Sequence, residues 1–236
     1  MSERFRLEVG DRVAAIAFDD GGMNLLSRDA LRELDALLDR VPASIDTFCF
    51  FSGHPSVFAA GADMREMERF TPEDAAEFSN LGQTLFTRIE RLSCLTIAII
   101  DGDCFGGALD LAFAFDLRVA SPHSRFSHPG SRIGIVTGFG GTSRWRRHAD
   151  APSARALFLG NRVLDASEAF EHDVVDLLAE VTRGGELELA RSLCARNAGE
   201  VRFVKELARI PRGLPGEQHA AFARALAEVH LRTKEH

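Results

Sequence analysis

Residues 99–116 read Ile-Ile-Asp-Gly-Asp-Cys-Phe-Gly-Gly-Ala-Leu-Asp-Leu-Ala-Phe-Ala-Phe-Asp, and this stretch decides the fold. The apolar, β-branched run from Leu95 to Ile100 predicts a buried strand, and the residues from Ala108 onward predict a buried helix. Gly106-Gly107 joins the two. Glycines at such a turn leave backbone N–H groups without intrahelical partners and without Cβ atoms that would keep a ligand away. The turn therefore predicts a place where an oxygen carrying negative charge can bind, with the acid Asp110 one turn into the helix.

A second informative stretch lies earlier, where residues 56–67 read Ser-Val-Phe-Ala-Ala-Gly-Ala-Asp-Met-Arg-Glu-Met. Together the two stretches resemble the crotonase superfamily of enoyl-CoA hydratases and isomerases, and the resemblance extends over nearly the whole chain from about Val13. It implies an oxyanion hole formed by the backbone N–H groups of Ala62 and Gly107. Two such donors stabilise the charge that a thioester oxygen gains when an enolate forms.

The same resemblance implies an acyl-CoA substrate, of which coenzyme A is a part, and no metal ion or organic prosthetic group. In the family, the segment around Met23 and Asn24 is where the pantetheine and adenine ends of CoA pass, although a turn and a helix cap explain the same residues without a ligand. The implied binding residues are Met23, Ala60, Asp63, Met64, Arg65, Phe105 and Ile133, and the acyl pocket includes Phe139.

The proton-transferring residues depart from the family pattern. Hydratases of the family place one Glu at the position of Asp110 and a second Glu further along, where this chain has Gly130. A general acid or base is worth about two to four orders of magnitude in rate, so the missing carboxylate puts ordinary two-Glu hydration in question. We expect Asp110 to be the remaining catalytic acid or base, although an ionised Asp near a helix N-terminus also occurs as a structural residue.

Several reactions of the superfamily stay open. Dienoyl-CoA isomerases also carry an Asp at the first position, but they use two further acids that are missing at Gly130 and Gly138. Dihydroxynaphthoyl-CoA synthases have a glycine where Gly130 falls, and in some of them bound bicarbonate replaces the carboxylate beside a polar residue two positions earlier. That residue is His128 here, which makes a bicarbonate held by His128 and the Gly130 N–H a sensible hypothesis.

Other classes of function need less chemistry. Decarboxylases and thioester hydrolases of the superfamily require only the oxyanion hole and one or two polar groups, and a catalytically weak acyl-CoA-binding relative would keep the hole after losing its acids. Ser131 and Thr137 are further candidates for a chemical role. The basic residues Arg144, Arg146 and Arg147 are interpreted as a solvated helix face or a site for CoA phosphates.

Composition narrows the partners. The chain has 236 residues, a net charge of −7 and no tyrosine, and an acidic chain is a poor match for nucleic acid. The N-terminal residues lack an apolar signal segment, and no apolar run approaches the roughly 20 residues of a membrane span. We therefore expect a cytoplasmic protein without nucleic-acid or membrane partners. The four widely spaced cysteines are expected to be reduced core residues.

Strand and helix signals alternate, which predicts an α/β fold. Strands are expected at Arg12–Phe18, Phe48–Phe51, Leu117–Ala120 and Val174–Leu178, and helices are expected to begin after the caps Ser27, Thr71 and Asp165. The resemblance implies a crotonase-like ββα spiral over residues 1–182 and C-terminal helices over 183–236. In the family these helices cover the active site and make the contacts of a trimer or a dimer of trimers.

Overall fold

The computed structural model describes residues 4–135, 137–148 and 151–193, together with Val201, Lys205, Gln218 and Ala221. For a few of the helical residues, Ile133 among them, only the backbone is described. Strands and helices alternate along this part of the chain, as expected for the α/β class. Among the same residues, no helix combines the length and the apolar character needed to cross a bilayer.

The elements follow one another in a regular way along the described chain. The strands are β1 (Phe5–Gly10), β2 (Val13–Phe18), β3 (Leu25–Leu26), β4 (Thr47–Ser52), β5 (Val57–Ala59), β6 (Gly61–Ala62), β7 (Leu95–Ile100), β8 (Asp103–Phe105), β9 (Leu117–Ala120), β10 (Arg125–Ser127), β11 (Leu164–Asp165) and β12 (Leu177–Leu178). The α-helices are α1 (Arg28–Leu38), α2 (Met64–Met67), α3 (Pro72–Glu90), α4 (Gly107–Ala112), α5 (Gly141–His148), α6 (Ala151–Phe158), α7 (Ala166–Glu171) and α8 (Glu186–Ser192). A 3-10 helix covers Pro129–Ile133.

The largest sheet has the strand order β1-β2-β4-β7-β9-β12. β1 is antiparallel to β2, and the remaining neighbours are parallel. Every residue of β2 and β4 is buried, because a parallel sheet is covered on both faces and its strands are apolar throughout. Alternate residues of these strands pack into two different clusters, one on each face of the sheet.

One expected strand is shorter than the sequence indicated. Within Val174–Leu178, only Leu177 and Leu178 pair with β9. The N–H groups of Val174 and Val175 both donate to the carbonyl of Ala169 at the end of α7, at 2.8 and 3.1 Å. The helix end therefore takes the donors that a sheet ladder would need, and both valines are buried without being in a strand.

A second sheet, in the order β11-β10-β8-β5, brings the two signature stretches together. The chain leaves the large sheet after β4 and after β7 and each time enters this second sheet, as β5 and as β8. β5 and β8 are parallel neighbours, so their carboxyl ends lie at the same edge. The residues that follow are Gly61-Ala62 in one case and Gly106-Gly107 in the other.

The predicted helix starts are confirmed. The Ser27 hydroxyl accepts the N–H of Ala30 at the start of α1, and capping boxes begin α3 (Thr71 with Asp74) and α7 (Asp165 with Glu168). Such caps use backbone donors that have no partner inside the helix. They were therefore readable from the sequence alone.

The C-terminal region begins against the large sheet. Ala190 of α8 packs with Val13 and Ala15 on one face, and the ammonium group of Lys205 bonds the carbonyls of Leu92 and Cys94, at 2.8 and 2.9 Å. The last expected helix falls almost wholly outside the described residues. Three of the cysteines are buried free thiols as expected, namely Cys49, Cys94 and Cys104. Cys194 is outside the described part.

Candidate active site

Two backbone turns meet at the predicted oxyanion hole. A Cβ placed on Gly61 would lie 2.8 Å from the carbonyl oxygen of Phe105 and 3.2 Å from the nitrogen of Gly107. A Cβ placed on Gly107 would lie 3.6 Å from the nitrogen of Ala62. The two segments can approach this closely because glycine carries no side chain. The amides of Ala62 and Gly107 are therefore neighbours in space.

Gly107 is the first residue of α4. Gly106 adopts a positive φ of 57° and precedes the first residue of α4 without any side-chain cap. The N–H groups of a helix's first turn have no acceptor inside the helix and point away from its N-terminus. Together with the positive end of the helix dipole, they favour a negatively charged oxygen at this turn.

Asp110 lies on the same face of α4 as Gly107, since residues three apart are neighbours on a helix. Its side chain leans toward the helix N-terminus, as helical side chains do, and is only 1% exposed. The Thr137 hydroxyl donates a hydrogen bond to Oδ2. Of the described carboxylates, the buried ones are Asp46, Asp110 and Glu186, and Asp110 is the one that belongs to the glycine turn.

Gly141 makes room for this carboxylate. A Cβ on residue 141 would overlap the Oδ1 atom of Asp110, and Gly141 is the first residue of α5. The carboxylate consequently sits beside the N-terminus of a second helix, a favourable position for negative charge. Gly141 was not among the site residues predicted from the sequence. The signal that could have found it is the glycine-rich run 138–141 leading into a helix.

His128 faces Asp110 from the end of β10. Its Nε2 lies 3.5 Å from Oδ1 of Asp110, and both side chains are at least nine-tenths buried. Neither of these two atoms has a hydrogen-bond partner within the described residues. A buried polar atom left unsatisfied costs about 1–3 kcal/mol, so such a pair in a folded protein calls for an explanation.

Gly130 lies beside His128 but leaves no space for a side chain. A Cβ on residue 130 would be 2.6 Å from the carbonyl oxygen of Ile135 and 3.5 Å from the His128 ring. The Gly130 carbonyl itself accepts the Ile135 N–H at 2.9 Å. With this backbone, a carboxylate at position 130 would require the 3-10 helix to move.

The loop before α5 is fixed to α3. The Gly138 carbonyl accepts the hydroxyl of Ser79 at 2.6 Å and the amide of Gln83 at 2.8 Å. Arg144 donates to the carbonyl of Phe139 at 2.8 Å. These bonds hold the Phe139 ring against Gly107, where it lies 2.8 Å from the position of a Cβ. The expected acyl-pocket residue thus borders the glycine turn.

Arg144 corrects one interpretation of the basic cluster. Its side chain is 5% exposed and also bonds Thr87 at 2.9 Å and pairs with Glu90 at 3.3 Å. It is committed to the protein interior and is not available for a CoA phosphate. The side chains of Arg146 and Arg147 lie outside the described part.

Of the residues expected to bind CoA, Met23, Met64 and Arg65 lie near the turn at Gly61-Ala62. Met23 and Met64 are exposed at 49% and 38%, and Arg65 is exposed as well. The Ala60 N–H donates to the Met23 carbonyl at 3.0 Å. Apolar side chains of this size in water are common next to a binding site, although single ones also occur elsewhere.

Other residues of the same prediction have structural partners. The Asp63 carboxylate caps α2 by accepting the N–H groups of Arg65 and Glu66. Asn24, at φ 54°, is fully buried and its amide bonds the carbonyls of Phe18 and Phe58, so it stabilises the turn.

Phe105 packs under the Arg125 guanidinium, 5.8 Å from the ring centroid. The Ile133 side chain lies outside the described residues. Ser131 bonds the side-chain oxygen of Asn161 at 2.9 Å on the surface, away from Asp110, which leaves Thr137 as the hydroxyl at the site.

The Cys104 thiol, the other reactive type of side chain near Asp110, is inert. Burial, and then the negative charges of Asp110 and Asp103, raise the pKa of the Cys104 thiol well above its ordinary value. The thiol therefore stays protonated and is a poor nucleophile. Within the described residues, no three His, Cys, Asp or Glu side chains are grouped to hold a metal ion.

Comparison with known proteins gives a consistent result. The enoyl-CoA hydratase/isomerase family model matches residues 8–229. The short-chain-enoyl-CoA hydratase of Clostridium acetobutylicum is 31% identical over 178 residues, which are 74% of this chain and 68% of that protein. The crotonyl-CoA hydratase of Syntrophomonas wolfei is 30% identical over 214 residues, which are 84% of this chain and 82% of that protein.

Solved structures extend the comparison to the fold. The crystal structure of enoyl-CoA hydratase from Thermoplasma volcanium GSS1 superimposes with a TM-score of 0.90 at 21% identity, over 98% of this chain and 93% of that chain. The expected crotonase-like fold is confirmed by this match. On the sequence and fold matches together, the chain belongs to the enoyl-CoA hydratase/isomerase family.

Proposed function

We propose that this enzyme acts on an enoyl-CoA thioester, that the amides of Ala62 and Gly107 bind the thioester oxygen, and that Asp110 moves the proton. The observation that carries the proposal is the buried Asp110 carboxylate on the same helix face as Gly107, beside the neighbouring Ala62 amide. The names of the two sequence relatives, a short-chain-enoyl-CoA hydratase and a crotonyl-CoA hydratase, support this substrate class.

The chemistry follows from the geometry. A thioester carbonyl becomes a strong electron sink only when its oxygen can carry negative charge, and each backbone donor at such an oxygen is worth about 3 kcal/mol. Because the donors are backbone groups, the residue types at 62 and 107 matter for their size and conformation rather than for their side-chain chemistry. A carboxylate close to the α- and β-carbons then needs to move only one proton.

The CoA part of the substrate is proposed to lie along the turn at Gly61-Ala62. Met23 and Met64 offer exposed apolar surface there, and Arg65 offers a positive charge for a phosphate. Ala60 and Phe105 contribute backbone and ring surface beside them. Phe139, which packs against Gly107, would limit the length or width of the acyl chain.

Hydration is the first candidate reaction, and double-bond isomerisation is the second. Hydration is supported by the relatives' names. Isomerisation is favoured by Gly130, because the backbone around it leaves no space for a second carboxylate and shifting a double bond requires only one group that removes and returns a proton. A homotrimer or hexamer in the cytoplasm is the setting that we infer for either reaction.

Turnover of a thioester panel tests the proposal. The purified protein is incubated with crotonyl-, 3-enoyl-, saturated acyl- and malonyl-CoA, with and without added bicarbonate, and the products are followed by mass spectrometry and by the ultraviolet absorbance of the conjugated 2-enoyl thioester. We expect a gain of one water from crotonyl-CoA, or a shifted double bond from the 3-enoyl thioester. Loss of CO2 or release of free CoA would replace the proposal with a decarboxylase or a thioesterase. Binding without any conversion would overturn the enzymatic role.

A further inference from the structure

Asp110 and His128 face one another in an arrangement that the proposed function does not yet use. The carboxylate Oδ1 and the imidazole Nε2 are 3.5 Å apart, and neither has a hydrogen-bond partner in the described part of the chain. Hydrogen bonds from nitrogen to oxygen normally measure 2.7–3.2 Å between heavy atoms. The two atoms are thus close enough to exchange a proton after a small adjustment.

The orientation of both side chains is fixed by their surroundings. The His128 ring packs on Phe158 of α6, with ring centroids 4.8 Å apart, and its other side borders Gly130. Asp110 is held through Oδ2 by Thr137, and Oδ1 occupies the space that Gly141 leaves free. The facing atoms therefore follow from the packing of four separate segments.

Elsewhere in the chain a histidine and an aspartate form a closer pair. His123 Nε2 lies 2.9 Å from Oδ1 of Asp101, and the histidine is 61% exposed. A pair that served only to stabilise the fold would be expected to reach a similar distance. Catalytic pairs are often longer than this in the free enzyme and tighten when substrate is bound.

We propose that His128 is a positioning and proton-sharing residue that acts through Asp110, and that the pair replaces the second carboxylate for which position 130 has no space. This inference rests on the proposed function. An imidazole nitrogen beside the carboxylate gives the transferred proton a second place to rest.

The pair takes up one proton and returns it, so it gains and loses none over the whole reaction. In water addition, the water oxygen bonds to C3 of the enoyl group while the C2=C3 electron pair moves into the enolate. The proton that leaves the water is taken up by the Asp110 carboxylate and shared with Nε2 of His128. The same proton is then returned to C2, the enolate collapses to the thioester, and the pair regains its starting charge. In isomerisation of a 3-enoyl thioester the pair instead takes a proton from C2, the C2–H electron pair enters the dienolate, and the proton is returned to C4, so that the double bond ends between C2 and C3.

Among the residues that the structure describes, few other titratable groups face the pair. On β8, the neighbour of β10, Cys104 is kept as a neutral thiol by burial and by the charge of Asp110, and Asp103 is paired with Arg125 at 2.7 Å. From α5, Arg144 is directed to Glu90 and to the Phe139 carbonyl. The pair is therefore the group of this site whose removal should change the pH profile.

The test is the pH profile of His128→Gln against that of the unaltered enzyme. We expect kcat to fall by about 10²-fold with KM changed less than about 3-fold. The pH profile of kcat should change shape in His128→Gln, because the transferred proton can no longer rest on an imidazole. An unchanged kcat, or a lower kcat with an unchanged pH profile, would overturn the inference.

His123→Gln is the matched control, because it removes the histidine of the other His–Asp pair, and its kcat and pH profile should equal those of the unaltered enzyme. Asp110→Asn distinguishes a failure of the proposed function from a failure of the role inferred for His128. If Asp110→Asn keeps its turnover, the proposed function fails. If Asp110→Asn loses turnover while His128→Gln keeps it, the failure is confined to the role of His128.

A second measurement covers the case that His128→Gln does not fold. The nitrogen signals of the His128 ring are compared by NMR in the unaltered protein and in Asp110→Asn at the same pH. Removing the facing carboxylate should change the signal of Nε2, since Oδ1 of Asp110 is the atom that faces it. Identical ring nitrogen signals in both proteins would overturn the coupling.

Discussion

The same two parallel strands carry one His–Asp pair at each end. Before β8 and β10 stand Asp101 and His123, and after them stand Asp110 and His128. At the amino ends, the pair is in contact at 2.9 Å and its histidine is exposed. At the carboxyl ends, the pair is buried and 3.5 Å apart.

The difference follows from what surrounds each end. The carboxyl ends of parallel strands lead into turns and helix N-termini, which is where α/β proteins bind ligands. Here they lead to Gly106-Gly107 and α4, and to the 3-10 helix that begins after His128. The ion pair at the other end has an exposed histidine and an aspartate side chain that is 18% exposed, and pairs open to solvent contribute about 0–1 kcal/mol to folding. We therefore assign chemistry to the carboxyl-end pair and at most modest stability to the amino-end pair.

Replacing the two aspartates gives the largest expected contrast. Asp110→Asn should lower kcat by about 10²- to 10⁴-fold, the usual contribution of a general acid or base, with little change in the dissociation constant of a substrate analogue. Asp101→Asn should leave kcat unchanged. Steady-state kinetics on crotonyl-CoA and calorimetric binding of butyryl-CoA measure both. Equal losses in the two variants would break the comparison.

Crowding the carboxylate is the next test. In Gly141→Ala the new methyl group would overlap Oδ1 of Asp110, and a displacement of about 1 Å can cost about 10²-fold in rate. Gly10→Ala is the matched control, because no atom lies within 4 Å of the Cβ position there. Thermal unfolding and kcat are measured for both. Full activity in Gly141→Ala would mean that the observed position of Asp110 is not the catalytic one.

Removing the Thr137 hydroxyl, which bonds the aspartate of the carboxyl-end pair, should have a smaller effect. Thr137→Val deletes the donor to Asp110 Oδ2, and a hydrogen bond to a charged group is worth about 1.5–3 kcal/mol, so we expect kcat to fall at least about 10-fold. Ser131→Ala, which deletes a surface hydroxyl bonded to Asn161, should be neutral. If Thr137→Val is as active as Ser131→Ala, the hydroxyl has no part in orienting the carboxylate.

The smallest effect is expected at the amino-end pair. Asp101→Asn should change the free energy of unfolding by no more than about 1 kcal/mol. Chemical denaturation of the unaltered protein and the variant measures this. A loss well above that figure would show that the amino-end pair stabilises the fold, and would remove the contrast with the buried pair.

Local signals explain what could be predicted from the sequence. The strand Leu95–Ile100 and the caps Ser27, Thr71 and Asp165 are determined by nearby residues, and all are observed. The glycine turn and Asp110 were found for the same reason, because one short stretch contains both.

Long-range packing explains the rest. Gly141 and Thr137 reach Asp110 from a distant segment, and Val174 and Val175 lose their strand because Ala169 takes their N–H groups. Arg144 looks like a surface charge in the sequence, yet its partners Thr87 and Phe139 make it an interior residue. Apart from the glycine-rich run before α5, neither periodicity nor a local motif indicates these contacts.

Exchange of the α-proton tests the central claim most directly. Butyryl-CoA, which has no double bond to hydrate, is incubated with the protein in deuterated water, and mass spectrometry follows deuterium at the α-carbon. We expect the unaltered enzyme and Asp101→Asn to incorporate deuterium at the same rate, and Asp110→Asn to incorporate it at least about 10²-fold more slowly. Binding of butyryl-CoA without exchange, or exchange that is unaffected by Asp110→Asn, would contradict an enolate formed at this site.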